Sequence, residues 1–452
     1  MTPQKTLMTE GCIWKILLRF AFPLFLGNLF QQLYNTVDSL VAGNFCGNEA
    51  LAAVSSSGSL CHLIIGFFQG TFVGASVIIS RFYGARDEEG VDKAIHTTVV
   101  FALAAGVILS ILGVCFTPTI LRWMGTPENV MPNSVLYFRI YCASLLALVL
   151  YNTSNGIFQA LGDSRHPLYY LILSSVVNVV LDLLFVAVFR WGVAGAALAT
   201  ALGQSLSAAL GFLHLMSGKF IVRLSLKKLR PDPALLQRIL HMGLPSGVQN
   251  SVISIANLVV QSNINAFGDL AMAGCGSYSK VEGFVFLPIM SLSMALTTFV
   301  SQNLGAGRQD RVRTGSKLGV LMTIGFAELV GVAFFLLAPQ IIGLFSPTPE
   351  VVVFGVRQAR VVSLFYFLLA FSHACSAILR GAGRAIVPMT IMLSVWCVFR
   401  ICYITAMVRL IPDITVIFTA YPVTWAISSV LFLFILWKKG IGEHQLSARQ
   451  AG

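Results

Sequence analysis

The sequence predicts an all-α, polytopic membrane protein of twelve transmembrane helices arranged as two parallel six-helix repeats. Three observations predict it. The composition is too apolar for a surface in water, twelve windows are long enough to span hydrocarbon, and the second half repeats the first.

Of the 452 residues, 56% are hydrophobic and only 11% charged, with a mean hydropathy of +0.82. Soluble domains carry about 25% charged residues, so this chain cannot keep its surface in water. The first apolar run starts near Ile13 and does not end in a small-residue cleavage site, so it reads as a retained span rather than a signal peptide. The nine cysteines are scattered, none in a CxxC pair, and most lie in apolar runs. They read as small buried residues, not as metal ligands or disulfides.

A bilayer core takes roughly 20 apolar residues as helix. Windows of that kind fall at 13–42, 51–79, 95–121, 134–161, 168–189, 193–216, 239–266, 270–299, 314–337, 351–379, 386–410 and 414–437. Turn and charge signals separate them, among them Gly84-Ala85-Arg86-Asp87, Gly125-Thr126-Pro127, Arg165-His166-Pro167 and Gly305-Ala306-Gly307-Arg308. The runs are too long and too continuously apolar for β-barrel strands of about 10 alternating residues. With the N-terminus in the cytoplasm, 22 of the 30 basic residues fall in the N-tail, the even-to-odd loops and the C-tail. That skew puts both termini inside. It also accounts for the net charge of +12 without a nucleic-acid partner.

Shifted by about 221 residues, the halves align. Ser80, Gly84 and Ala85 fall on Ser301, Gly305 and Ala306, and Gly162 and Pro167 on Gly383 and Pro388. With one extra residue, Thr126-Pro127-Glu128 falls on Thr348-Pro349-Glu350 and Phe22-Pro23 on Leu244-Pro245. Six spans per half make the repeats parallel, related by an axis along the membrane normal. The expected division is a first six-helix lobe at 1–217, a basic cytoplasmic linker at 218–238, a second lobe at 239–437 and a cytoplasmic tail at 438–452. Pro23 and Pro245 mark matching positions where spans one and seven can bend.

Ionisable groups at mid-membrane cost roughly 2.5–3.5 kcal/mol on insertion scales. The few present are therefore candidates for function. Asp38 lies in span one. Asn178 and Asp182 lie in span five, four residues apart on one helix face. Their repeat positions are Phe399 and Tyr403, so the acids are an asymmetric addition to a symmetric scaffold. Carboxylates so placed can share a proton or coordinate Na⁺ through oxygen. The bland alternative is a hydrogen bond within a helix interface. Lys280, Glu282, Glu328 and Arg400 are weaker candidates of the second half. His62, His96 and His373 read as packing or loop histidines. Gly66, Gly70 and Gly74 give overlapping GxxxG spacings, which serve close helix packing. No GxxxxGK[ST], HExxH or GxSxG motif occurs, which leaves ion gradients as the drive and no enzyme activity.

Several segments together resemble the multidrug and toxic compound extrusion (MATE) family. They are Phe22-Pro23, Val37-Asp38-Ser39, Gly47-Asn48-Glu49-Ala50, Gly162-Asp163-Ser164-Arg165, Asn178-Val179-Val180-Leu181-Asp182, the 192–200 and 292–298 stretches, and Gln302-Asn303-Leu304-Gly305. The resemblance covers nearly the whole chain and is nearest to the DinF-like branch. It implies a V of two six-helix lobes that exports cationic, amphipathic compounds in exchange for Na⁺ or H⁺. It also implies a first-lobe cation site at Asp38, Asn178, Asp182 and Thr200, the residues that would hold Na⁺. Tyr34, Asn35 and Asn155 would line that lobe. Other branches place acids on spans seven and ten, where this chain has none, and Glu282 is the nearest substitute. No cofactor is expected beyond the coupling ion. The expected partners are a small cationic substrate and the bilayer of the cell membrane, with the chain acting as a monomer.

The rival reading is a flippase of the wider superfamily moving lipid-linked oligosaccharides or lipids. Lys280 and Arg400 favour it, and the acids of the first half oppose it. A membrane-embedded enzyme or receptor would need a motif that this sequence lacks.

Overall fold

In hydrocarbon a long apolar run can satisfy its own backbone only as helix, and helices are what these runs form. The computed structural model describes residues 7–128, 130–218, 222–346 and 348–440; the side chains of 35, 37–63 and 439 lie outside that description. In the first half the helices are α1 (Ile13–Gly84), α2 (Glu88–Trp123), α3 (Met131–Ala143), α4 (Leu145–Ala160), α5 (Arg165–Asp182) and α6 (Gly192–Met216). In the second they are α7 (Pro233–Asn265), α8 (Asp269–Gly305), α9 (Gln309–Gly343), α10 (Pro349–Val362), α11 (Tyr366–Gly381), α12 (Ile386–Met392), α13 (Arg400–Leu410) and α14 (Thr415–Lys439). Among the described residues there is no strand.

Ten stretches of the described residues are long and apolar enough to cross a membrane, and the bent pair α3–α4 adds an eleventh. The remaining expected span is α7, 33 residues long but with a mean hydropathy lowered by its asparagines and glutamines. One expected boundary is absent. The break foreseen between positions 42 and 51 falls inside α1, whose helix runs unbroken for 72 residues. Gly43 and Gly47 lower helix propensity, but no proline between them removes an amide donor, so the hydrogen-bond ladder continues.

The repeat is visible in the irregularities. The fourth span bends by 45° at Ser144, between α3 and α4. The tenth changes to a 3₁₀ turn over Ser363–Phe365, between α10 and α11. In each half a side chain from the preceding span captures an amide that the break leaves unpaired. The Leu146 amide donates to Ser110 Oγ of α2 at 3.2 Å, and the Phe367 amide donates to Glu328 Oε2 of α9 at 3.2 Å. Glu328 therefore has a structural task. Spans five and eleven each contain a π-helical segment, Leu183–Val188 directly after Asp182 and Leu393–Phe399 directly before Arg400.

The chain divides into two compact units. Unit 1 holds Met1–Leu7 and Leu26–Gly247, and unit 2 holds Met8–Phe25 and Val248–Gly452. The first helix of each half thus begins in the other half's unit, and each crossing comes two residues after a repeat-matched proline, Pro23 or Pro245. In unit 2, Met8, Leu17, Phe20, Ala21 and Leu24 pack among Leu292, Leu296, Phe299 and Ile378. The Met8 amide donates to Gln302 Oε1 at 2.9 Å, and Arg311 Nη1 donates to the Gly11 carbonyl at 3.0 Å. In unit 1, Val222, Leu224, Leu235 and Ile239 pack among Ile79, Val91 and Ile95. There His96 is a buried bridge. Its Nε2 accepts from the Ser225 amide at 3.1 Å, which leaves Nδ1 to donate to the Asp92 carbonyl at 2.8 Å.

Outside the spans, Asp413 ties α10 to the α13–α14 loop. It accepts from the Thr415 amide and hydroxyl, both at 2.7 Å, and from Arg357 Nη2 at 2.8 Å. The Thr415 bonds, and then the guanidinium, push its carboxyl down to about 2.

Candidate functional site

The candidate cation residues of α5 are positioned by its seam with α6. Ser174 Oγ meets Ser207 Oγ at 3.1 Å. One turn further, the Asn178 side chain lies against Gly203, where an added Cβ would come within 3.0 Å of the Asn178 Cβ. Further along, Phe185 lies against Gly195 in the same way, again at 3.0 Å. This antiparallel register brings Asp182 level with Ala199 and Thr200. Small residues on α6 are what let α5 press its polar face so closely.

The side chains are enclosed. Asp182 is 0% exposed, Asn178 2% and Thr200 8%. The Asn178 amide group has no hydrogen-bond partner among the described residues. The Thr200 hydroxyl donates to the Ala196 carbonyl at 3.1 Å, which turns its lone pairs outward as acceptors. A carboxylate, a carboxamide oxygen and a hydroxyl oxygen are thus gathered on two helices. Directly beyond Asp182 the backbone changes to the π form, a departure that recurs at functional sites because it re-aims side chains.

Asp38 and Asn35 fall on α1 among the side chains outside the description. Tyr34 is half-buried on α1. Asn155 is half-buried on α4. Glu282 belongs to unit 2.

In unit 2 the structure assembles a second polar group. Tyr278 and Glu282 are one turn apart on α8, and the Tyr278 hydroxyl lies 2.9 Å from Glu282 Oε1 and 2.9 Å from the Tyr366 hydroxyl. Arg400, 3% exposed, donates through Nη2 to Thr424 Oγ1 at 2.9 Å. Its guanidinium lies 4.5 Å from the centre of the Tyr421 ring and 5.7 Å from that of Trp396. His373, expected to be a packing residue, packs edge-on against Phe286 and Trp396.

Two features escaped sequence reasoning. At the start of α5 and the end of α6, His166 bonds to Asp163, Tyr170 bonds to His214, and the two imidazoles are 4.3 Å apart in a T-shape. Only the Asp163–His166 spacing was legible, since the rest needs α5 and α6 to be paired. The second feature is the face structure of α7. Gln249, Ala256, Val260 and Ile264 are buried, and Val248, Ile255 and Val259 form an exposed apolar face. Asn250, Ser254, Asn257, Gln261 and Asn265 form a third, polar face at helical spacing, all of it at least partly exposed. Polar amides of a spanning helix face water or protein rather than lipid. In a cysteine-free background, Asn257→Cys is expected to react with a membrane-impermeant thiol reagent at least about tenfold faster than Val259→Cys. Equal rates would place the two positions in the same medium.

The family model described as MatE matches the chain twice, over residues 23–184 and 245–405. The two matches begin at Pro23 and Pro245. The probable multidrug resistance protein YoeA of Bacillus subtilis (strain 168) is 29% identical over 97% of this chain and 98% of its own length. The probable multidrug resistance protein YpnP of the same strain is 30% identical over 86% of this chain and 87% of its own. Among solved structures, the outward-facing conformation of a multidrug resistance MATE family transporter of the MOP superfamily matches with a TM-score of 0.90. It is 25% identical and covers 96% of this chain and 97% of that one.

Proposed function

The chain belongs to the MATE family of transporters, and on that premise we propose that it exports cationic, amphipathic drugs or metabolites in exchange for H⁺ or Na⁺. The observation that carries the coupling reading is the enclosed group of Asn178, Asp182 and Thr200 on α5 and α6. Oxygen donors of this kind suit a proton or a hard cation, and an acid at this depth in a membrane marks function by default. Asp38 completes the group in this reading. Gly27 of α1 lies against Leu168 and Leu171 of α5, with Leu171 Cδ2 3.7 Å from its Cβ position. Position 38 follows Gly27 along the helix by the same count as Asp182 follows Leu171.

Occupation of this group by a cation neutralises the first half. The inward- and outward-open states then differ in affinity for ion and substrate, and exchange follows from that difference. Both termini are cytoplasmic, the membrane is the cell membrane, the chain works as a monomer and the branch is DinF-like in this reading. The test is accumulation of a fluorescent organic cation in inside-out proteoliposomes under imposed pH and Na⁺ gradients, applied separately. One gradient is expected to drive accumulation, and an Asp38→Asn, Asp182→Asn double variant to lose it. Full gradient-driven transport by that variant would sink the coupling claim.

A further inference from the structure

We propose that Arg400 sets the charge selectivity of a second ligand site, in unit 2: it balances Glu282, so that this half receives zwitterionic amphiphiles in preference to simple monocations. Arg400 lies on the eleventh span, the repeat of the fifth, and adjoins a π segment as Asp182 does. It stands one turn from Tyr403, the repeat position of Asp182. The second half therefore carries a buried base where the first carries a buried acid.

A continuous set of contacts joins this base to Glu282. Glu282 bonds to Tyr278, and Tyr278 to Tyr366. The Tyr366 and Trp425 rings are 6.1 Å apart, Trp425 and Tyr421 5.9 Å apart, and Tyr421 lies under the guanidinium at 4.5 Å. The two charges are within Coulombic reach of each other. No ion pair closes between them; Tyr278 and Thr424 hold the carboxylate and the guanidinium instead. Glu282 is half-buried with its carboxylate held by Tyr278, while Arg400 is enclosed behind the aromatic rings.

The scaffold does not need this pair, because the repeat positions of Glu282 and Arg400 are Cys61 and Val179. Charges in a membrane interior are costly and mark function by default. An acid and a base together make a site of zero net charge in a low-dielectric surrounding. A monocation bound at Glu282 strips Arg400 of its counter-charge, and that penalty is large in such a medium. A zwitterion brings its own anion, so the site stays neutral. The tyrosine and tryptophan faces add apolar contact and cation–π attraction for an aromatic ligand.

The inference concerns a different site from the α5–α6 group and rests only on the reading that the chain carries small organic molecules. Its test uses rhodamine 110, a zwitterion with a free carboxylate, and its methyl ester rhodamine 123, a cation. Binding of each is measured by fluorescence anisotropy on the full-length protein in detergent, with no ion gradient. The readout is the affinity ratio of the two dyes within one preparation, which does not depend on how much of it is folded.

The wild type is expected to prefer rhodamine 110. Arg400→Gln unmasks Glu282 and shifts the ratio about tenfold toward the ester. Glu282→Gln shifts it in the opposite direction, and the double variant returns it to near the wild-type value. Arg400→Lys, which keeps the charge, keeps the order of preference. Should Arg400→Gln not fold, Glu282→Gln carries the same test alone. An unchanged ratio in the single variants, or a shift in one direction for both, overturns the proposal. A protein that binds with the expected ratio yet exports neither dye against a cation gradient sinks the coupling reading and leaves this one standing.

Discussion

Asp182→Asn is expected to cut gradient-driven export sharply while leaving the protein folded and able to bind substrate. The substitution is nearly isosteric, and the seam that holds position 182 is made by its neighbours. Ser174 meets Ser207, Asn178 meets Gly203 and Phe185 meets Gly195, so the helix pair keeps its register without the carboxylate. The change removes the one group of the α5–α6 set that carries a charge to be neutralised. An ion then no longer distinguishes the inward from the outward state. Coupling free energies of 1–3 kcal/mol correspond to about 5- to 150-fold, and that range is the expected fall in export rate under an imposed gradient. Substrate affinity without a gradient should stay within about threefold, a change below 1 kcal/mol. Gly203→Leu provides a contrasting variant. It drives a side chain into Asn178 and should lose folding and transport together. Equal gradient-driven export by Asp182→Asn and the wild type would remove the site from the mechanism.

The spans were legible because hydrocarbon imposes one rule on every apolar run. The rule failed where the information lies elsewhere. The break expected inside α1 did not occur, since glycines lower propensity without removing a donor. The bends at Ser144 and at Ser363–Phe365 were hidden because their unpaired amides are served by Ser110 and Glu328, one span away in each case. Asn178 and Asp182 could be read as a pair from their spacing alone. The Thr200 position came only with the family resemblance, because nothing local marks a threonine in an alanine-rich helix. The Glu282–Tyr278–Tyr366 and Arg400–Tyr421–Thr424 contacts join spans eight, ten, eleven and twelve, and such pairings appear only once the helices are packed. The polar face of α7 was readable from its spacing. Its residues are uncharged, so the cost of burying charge does not single them out.

The largest effect on stability is expected at the glycine crossing of α1 and α7. A Cβ on Gly70 would lie 2.3 Å from the Gly247 amide nitrogen, and one on Gly74 would lie 2.3 Å from that of Gly243. Seen from α7, a Cβ on Gly243 would lie 2.2 Å from the Thr71 carbonyl oxygen. The atoms in the way are backbone, so no rotamer change can make room and the helices themselves must part. The corresponding contact in unit 2 is built differently. There Ala21 and Leu24 pack with Leu292 and Ala295, and side chains fill the space that the glycines leave to backbone. The first half therefore depends on glycine at this crossing, where the second carries alanine and larger side chains. Gly74→Ala is expected to cost about 1–3 kcal/mol through overpacking, and Gly74→Val more. Both should lower the midpoint of thermal unfolding followed by loss of the monodisperse peak. Gly325→Ala on α9 is the control, since nothing lies within 4 Å of its added Cβ. It should be neutral or stabilise by up to about 1 kcal/mol through helix propensity. A Gly74→Ala protein that melts with the wild type would mean that the two helices can separate at this point without loss, and that the GxxxG spacing does not set their approach.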